Sequence, residues 1–163
     1  MTDGSYNNNN VVVLPPPFDR RGYLPPGIHL TTWPEFVARF GRGAHRRKLL
    51  AGLRDATQLL HRAGCRRIYV DGSFVTSKRR PRDFDACWDA DGVNMVFLYR
   101  IAPTLLDFRQ GTSAQKALFG GELFLAAAKE IKSGATFLDF YQTDMEDRPK
   151  GIVAIDLERW TSQ

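Results

Sequence analysis

Asp83-Phe84-Asp85 places two carboxylates two residues apart, ten residues after the serine of Val70-Asp71-Gly72-Ser73. Side chains alternate along a strand. On a strand from Asp83 to about Trp88, Asp83, Asp85 and Cys87 therefore share one face, while Phe84, Ala86 and Trp88 share the core face. Two like charges about 7 Å apart, two strand rises, repel unless something positive lies near them. Magnesium suits that position, because it takes hard oxygen ligands and often uses one or two carboxylates with substrate phosphates. Two such ions, with manganese as a substitute, would clamp the attacking and leaving oxygens of a phosphoryl transfer. Upstream, Arg67–Val70 reads as a buried strand. Gly72 then lets the backbone turn tightly and approach a ligand. Ser73 offers a hydroxyl and an N–H to phosphate oxygens, and a helix beginning at Phe74 would add its N-terminal dipole.

The elements that must position these groups can be read in order. Residues 1–10, with four consecutive asparagines, read as a disordered start, and residues 11–30 as a proline-rich, extended arm. Residues 31–163 form one domain of α/β class, a mixed sheet with flanking helices. Thr32-Trp33-Pro34-Glu35 is a capping box that opens a helix through Phe40. A longer helix is expected over 44–63. Leu49, Leu53, Ala56 and Leu60 form its buried stripe, and Arg46, Arg47, Arg54 and Arg62 stay wet. Asn94–Arg100 and Thr104–Phe108 read as strands, Ser113–Phe119 as a helix, and Glu122–Ala128 as a strand or helix. Thr136–Tyr141 and Gly151–Leu157 read as strands, paired as a hairpin around 142–150.

The run Gly72-Ser73 followed by Asp83-Phe84-Asp85 resembles the active-site signature of the DNA polymerase β-like nucleotidyltransferase superfamily, and most nearly its small bacterial minimal members from toxin–antitoxin pairs. The resemblance covers about residues 67–89 and implies a nucleotidyltransferase fold. It implies that Gly72 and Ser73 hold a nucleoside triphosphate, ATP among the candidates, and that Asp83 and Asp85 bind two metal ions. It also implies a third carboxylate on a neighbouring strand. Glu122, after the helix at Ser113–Phe119, is favoured, and Asp156, on the late strand, is its rival. Phe74-Val75-Thr76-Ser77 stands where the minimal enzymes often carry Ala-Arg-Gly, and Lys78-Arg79-Arg80-Pro81-Arg82 before the aspartates is unusually basic. Lys78, Arg79, Arg80 and Arg82 are candidates to neutralise triphosphate or an RNA acceptor. The whole chain also resembles an uncharacterised family of similarly short proteins. The marks are Gly22–Gly27, Asp71–Lys78 and Lys150–Val153.

The expected activity is magnesium-dependent transfer of a nucleoside monophosphate to a hydroxyl of RNA (tRNA included) or protein, within a toxin–antitoxin or defence system. The rival is a non-catalytic scaffold acting as antitoxin, inhibitor or nucleic-acid-binding module with a cognate protein partner. Nucleotide hydrolysis or cyclisation is a third reading of the same chemistry. Charge favours a polyanionic partner. From Arg39 to Arg82 there are thirteen Lys or Arg and only two acids, Asp55 and Asp71. The basic 39–82 region is therefore the expected RNA contact, with no aromatics interleaved to stack bases. No apolar run approaches the roughly 20 residues that span a bilayer, so a cytoplasmic protein without a membrane partner is expected. Cys65 and Cys87 have no metal-site or disulfide spacing, and the three histidines do not cluster in sequence. No Walker loop or nucleophile elbow is present.

Overall fold

The capping box forms as the sequence expects. The Glu35 carboxylate accepts from the Thr32 N–H at 2.9 Å, and Trp33, Phe36 and Phe40 of α1 (Trp33–Phe40) enter the core. The structure is a computed structural model that describes residues 14–162; the disordered start expected over 1–10 lies outside the described residues. Helix α2 (Ala44–Arg62) buries Leu49, Leu53, Ala56 and Leu60 as its apolar period requires. Arg46 departs from the wet face expected of it. It is buried, and its guanidinium donates to the carbonyls of Phe40, Phe74, Thr76 and Lys78. The arginine thereby fastens the segment after Gly72-Ser73 to the helix.

Five strands form one mixed sheet: β1 (Gly27–Thr31), β2 (Arg67–Asp71), β3 (Phe84–Trp88), β5 (Gly121–Leu125) and β6 (Gly151–Asp156), in the order β1-β6-β2-β3-β5. β1 runs parallel to β6, and β3 parallel to β5, whereas β2 is antiparallel to both of its neighbours, β3 and β6. A further short strand, β4 (Arg109–Thr112), lies outside this sheet and leads into α4 (Ser113–Phe119). The end of the proline-rich arm is thus itself a strand, so the sheet begins at Gly27 rather than after residue 30. Helices α1, α2 and α4 and the segment from α3 (Met95–Ile101) to Leu106 bury their apolar sides on one sheet face, where Phe84, Ala86 and Trp88 point. A smaller cluster of Tyr69, Cys87, Ala126, Tyr141, Ile152 and Ala154 covers the other face.

Three short apolar runs expected as strands fold otherwise. Asn94–Arg100 becomes α3 because the Asn94 side chain caps it, Oδ1 accepting from the Phe97 N–H at 2.9 Å. Thr104–Phe108 falls largely in a 3₁₀ turn opened by Pro103. Thr136–Tyr141 becomes the single turn α5 (Phe137–Phe140), with Thr136 Oγ1 accepting from the Asp139 N–H at 3.2 Å. The expected hairpin with β6 is therefore absent, and β6 pairs with β1 and β2. In each case a short apolar run carries no decisive period, and a cap or a proline decides. Among the described residues, no helix is long and apolar enough to cross a membrane.

Candidate active site

Strand register assembles the site. Asp71 on β2 is the Cα partner of Asp85 on β3, and Asp85 is in turn the partner of Glu122 on β5. Directly opposed residues put their side chains on the same face, with adjacent strands about 4.8 Å apart. Three carboxylates therefore stand in one row across three neighbouring strands. Asp83 lies just before β3, and the four acids form one electrostatic group. Burial first, and then the charges of Asp83, Asp71 and Glu122, push the Asp85 carboxyl up to about 7.

The Gly72-Ser73 turn closes over this row. Gly72 has φ +74, and a Cβ built on it would collide with Asp85 Oδ2, so only glycine lets the backbone pass this close to the carboxylate. The segment that follows is one 3₁₀ turn, Gly72–Val75, with Phe74 and Val75 buried. Phe74 packs on Phe36 in the core. A single turn carries little dipole, so the N-terminal anion site expected at Phe74 does not form. Ser73 remains partly exposed at the turn, and its carbonyl accepts from Thr76 Oγ1 at 2.8 Å.

Two lysines answer part of the negative charge. Lys150, just before β6, places Nζ 2.7 Å from Asp71 Oδ1, and both side chains are nearly buried. Burial raises the Asp71 carboxyl, and Lys150 opposes that shift. Lys116 of α4 reaches Glu122 Oε1 at 2.9 Å and Asp83 Oδ2 at 3.5 Å, and its own proton is held more tightly because of the Glu122 hydrogen bond. Thr112 Oγ1 also donates to Glu122 Oε1, at 2.8 Å. Asp85 alone in the row has no cationic side chain within ion-pair distance among the described residues.

A cavity of about 1090 Å³ opens over the row, lined by Asp71, Asp85, Glu122 and Lys150. Its wall is aromatic. Phe124, two residues beyond Glu122 on the same face, stacks on Phe137 with centroids 4.0 Å apart and planes 5° apart. Phe108, outside the cavity lining, also stacks on Phe124 at 5.5 Å, while Phe140 and Tyr141 continue the wall from Phe137. Ile131 and Met145, both fully exposed, form its rim.

The expected site residues divide. Gly72, Ser73, Asp83, Asp85 and Glu122 come together. Asp156 does not: it is the register partner of Arg67, at the opposite end of β2 from Asp71, about 13 Å along the strand. There its carboxylate accepts from the Glu158 N–H at 3.0 Å and approaches Arg159. Lys78, Arg79 and Arg80 do not line the carboxylate cavity. They line a separate cleft of about 760 Å³ against the start of α2, and Arg82 is exposed. No three His, Cys, Asp or Glu side chains among the described residues converge closely enough to hold a metal as they stand. Carboxylates are nevertheless the donor type a hard divalent cation takes, and Asp85, raised by burial and by its neighbours' charges, has no cationic partner within ion-pair distance among the described residues. Cys65 and Cys87 are buried free thiols, as expected.

The family of unknown function DUF6932 matches residues 16–156. The chain belongs to that family. No curated protein and no solved structure matches the chain.

Asp71, Lys116, Lys150 and the aromatic wall escaped the sequence reading. Asp71 had a signal, an acid at the end of a buried strand just before the glycine turn. Lys150 stands in a noted run, Lys150–Val153, but only tertiary pairing joins it to Asp71 across 79 residues. Phe124 and Phe137 meet only because the chain between them folds back, and no local period foretells that.

Proposed function

We propose that the protein is a magnesium-dependent nucleotidyltransferase. It would transfer a nucleoside monophosphate from a nucleoside triphosphate to a hydroxyl of RNA or protein. The observation that carries this reading is the register row Asp71–Asp85–Glu122 beneath the Gly72-Ser73 turn. The resemblance of that turn and of Asp83-Phe84-Asp85 to the DNA polymerase β-like superfamily supports it.

Asp83, Asp85 and Glu122 would hold the metal, which when bound would neutralise charge on the triphosphate and on the oxygens being exchanged. A new bond forms between the acceptor oxygen and the α-phosphorus, and the bond from that phosphorus to the β-phosphate oxygen breaks, releasing pyrophosphate. The acceptor proton passes to Glu122, which is more exposed than the paired Asp71. The Ser73 hydroxyl grips a phosphate oxygen. Lys150 donates to Asp71, opposes the rise that burial imposes on its carboxyl, and completes the floor. The aromatic wall offers the base a stacking face. Catalysis on this plan is positioning plus electrostatics.

Label transfer tests the proposal. Purified protein is incubated with magnesium, each α-labelled nucleoside triphosphate, and total RNA or protein extract, beside the Asp83→Ala/Asp85→Ala double variant. Label on a macromolecule that is absent with the variant supports transfer and identifies the acceptor class. Absence of both label and pyrophosphate in every mixture overturns it.

One observation favours a second reading. Lys116 already neutralises Asp83 and Glu122, the position a metal would take. On that reading the protein is a non-catalytic scaffold, an antitoxin, inhibitor or nucleic-acid-binding module in which the lysine replaces the cation. Calorimetry separates the two. The enzyme binds nucleotide more tightly with magnesium, and the scaffold binds it no better.

A further inference from the structure

The cleft that takes Lys78, Arg79 and Arg80 away from the carboxylates has a character of its own. Arg39, Arg42 and Arg46 complete its cationic lining, and no Asp or Glu lines it. Among the described residues, none of Arg39, Arg42, Lys78, Arg79 or Arg80 forms an ion pair. Elsewhere among the described residues some cations pair with aspartates, as Arg21, Arg109 and Arg148 do, and others such as Arg62 and Arg100 do not, so what distinguishes the cleft is the gathering of unpaired cations in one concave surface. Like charges left together and unpaired in a concave surface repel, and an anion relieves them.

The cleft is also held in shape. Buried Arg46 ties the carbonyls of Phe74, Thr76 and Lys78 to α2, so the loop presenting Lys78–Arg80 is anchored by the protein's own hydrogen bonds. The Arg39 guanidinium lies 4.2 Å from the centre of the Phe18 ring, which fixes the opposite wall. The first turn of α2 borders the cleft without an acid or a side-chain cap, so its backbone N–H groups add to the positive field. Burial first, and then the neighbouring Arg42 charge, lower the Arg39 pKa from its ordinary value.

We infer that this cleft binds the phosphodiester backbone of a single-stranded nucleic acid. Its cations stand on several separate side chains around a cavity of about 760 Å³. That spread matches a run of phosphates, each taking one cation, rather than a single anion gripped by all. The loop bearing Lys78–Arg80 starts at the Gly72-Ser73 turn and ends at Asp83, so the cleft and the carboxylate cavity flank one segment. The inference rests on the cleft's residues alone and stands whether or not the carboxylates catalyse transfer.

Fluorescence anisotropy of the full chain with a labelled 12-nucleotide oligouridine tests it. The logarithm of the affinity should fall against the logarithm of salt with a slope of about −3, from ~0.7 per neutralised phosphate over Arg42, Lys78, Arg79 and Arg80. Arg42→Ala/Arg79→Ala/Arg80→Ala should weaken binding at least about tenfold and flatten the slope by about 2. Arg62→Ala/Arg100→Ala/Arg159→Ala removes the same charge outside the cleft and should bind about as wild type does. Equal losses in the two triple variants, or a wild-type slope near zero, overturn the inference. So does displacement by polyglutamate as effective as displacement by unlabelled oligouridine, which would assign the cleft to acidic polypeptides. Asp83→Ala/Asp85→Ala should keep its RNA affinity; failed label transfer by the wild-type chain with retained oligouridine binding refutes the transferase reading and leaves this one standing.

Discussion

Replacing Asp85 by asparagine should make the protein more stable, and by an amount that depends on pH. The Asp85 carboxyl moves from 3.8 to about 7 on folding, because burial and the neighbouring Asp83, Asp71 and Glu122 disfavour its charge. Its folded pKa is raised, so between those values the native state holds a proton that the unfolded state has lost. Stability therefore falls as pH rises from about 4 to about 7 and is flat above. At 1.36 kcal/mol per pH unit the ionised carboxylate costs at most about 4 kcal/mol at pH 8. Water reaching it through the open cavity screens part of this, and a gain of about 2 kcal/mol is expected for Asp85→Asn. For a chain of this length that raises Tm by about 4–8 °C. Thermal unfolding of wild type and variant from pH 4 to pH 8 measures it. The gap should be near zero at pH 4, open through pH 5–7, and narrow again when millimolar magnesium is added to wild type. A variant less stable than wild type at pH 8, or a gap without pH dependence, refutes the electrostatic account of the row.

Other perturbations probe the supports. Lys150→Met should destabilise by about 3 kcal/mol because it strands a buried carboxylate, and adding Asp71→Asn should restore most of the loss in chemical denaturation. Arg46→Ala unfastens four carbonyls and should cost about 3 kcal/mol, with Arg46→Lys recovering only part, read by urea midpoint. Lys116→Gln removes the cation that competes at Asp83 and Glu122 and should tighten magnesium or manganese binding severalfold in calorimetry, about 1 kcal/mol for a half-exposed ion pair. Weaker metal binding in that variant would mean the lysine organises the site rather than occupying it.

The parts of the fold legible beforehand were those whose signals are local and redundant. α1 has a capping box, α2 has five turns of period, and β2 and β3 flank a glycine turn with alternating faces. The helix-then-strand order that the superfamily resemblance implies favours Glu122 over Asp156, and the register of β5 beside β3 puts Glu122 opposite Asp85. What escaped depends on contacts distant in sequence. Arg46 looks like any helix-surface arginine until the 74–78 loop folds back onto α2. Lys78–Arg80 precede the aspartates in sequence, yet the loop turns their side chains toward α2 instead. The runs at 94–100 and 136–141 are too short for helical and strand periods to differ, so a single capping side chain settled each.

The sheet order has a consequence for synthesis. β6, residues 151–156, is inserted between β1 and β2, two strands that leave the ribosome well before it. Until β6 emerges, the inner edge of β2 and all of β1 lack their partners, and Lys150 cannot reach Asp71. The carboxylate-bearing strands β2, β3 and β5 can already meet in that interval, but with a buried acid unneutralised and an open strand edge available to another nascent chain. Early termination before residue 151 should therefore yield aggregated rather than partly folded chains, and production in cells should depend on how quickly β6 follows β1 and β2.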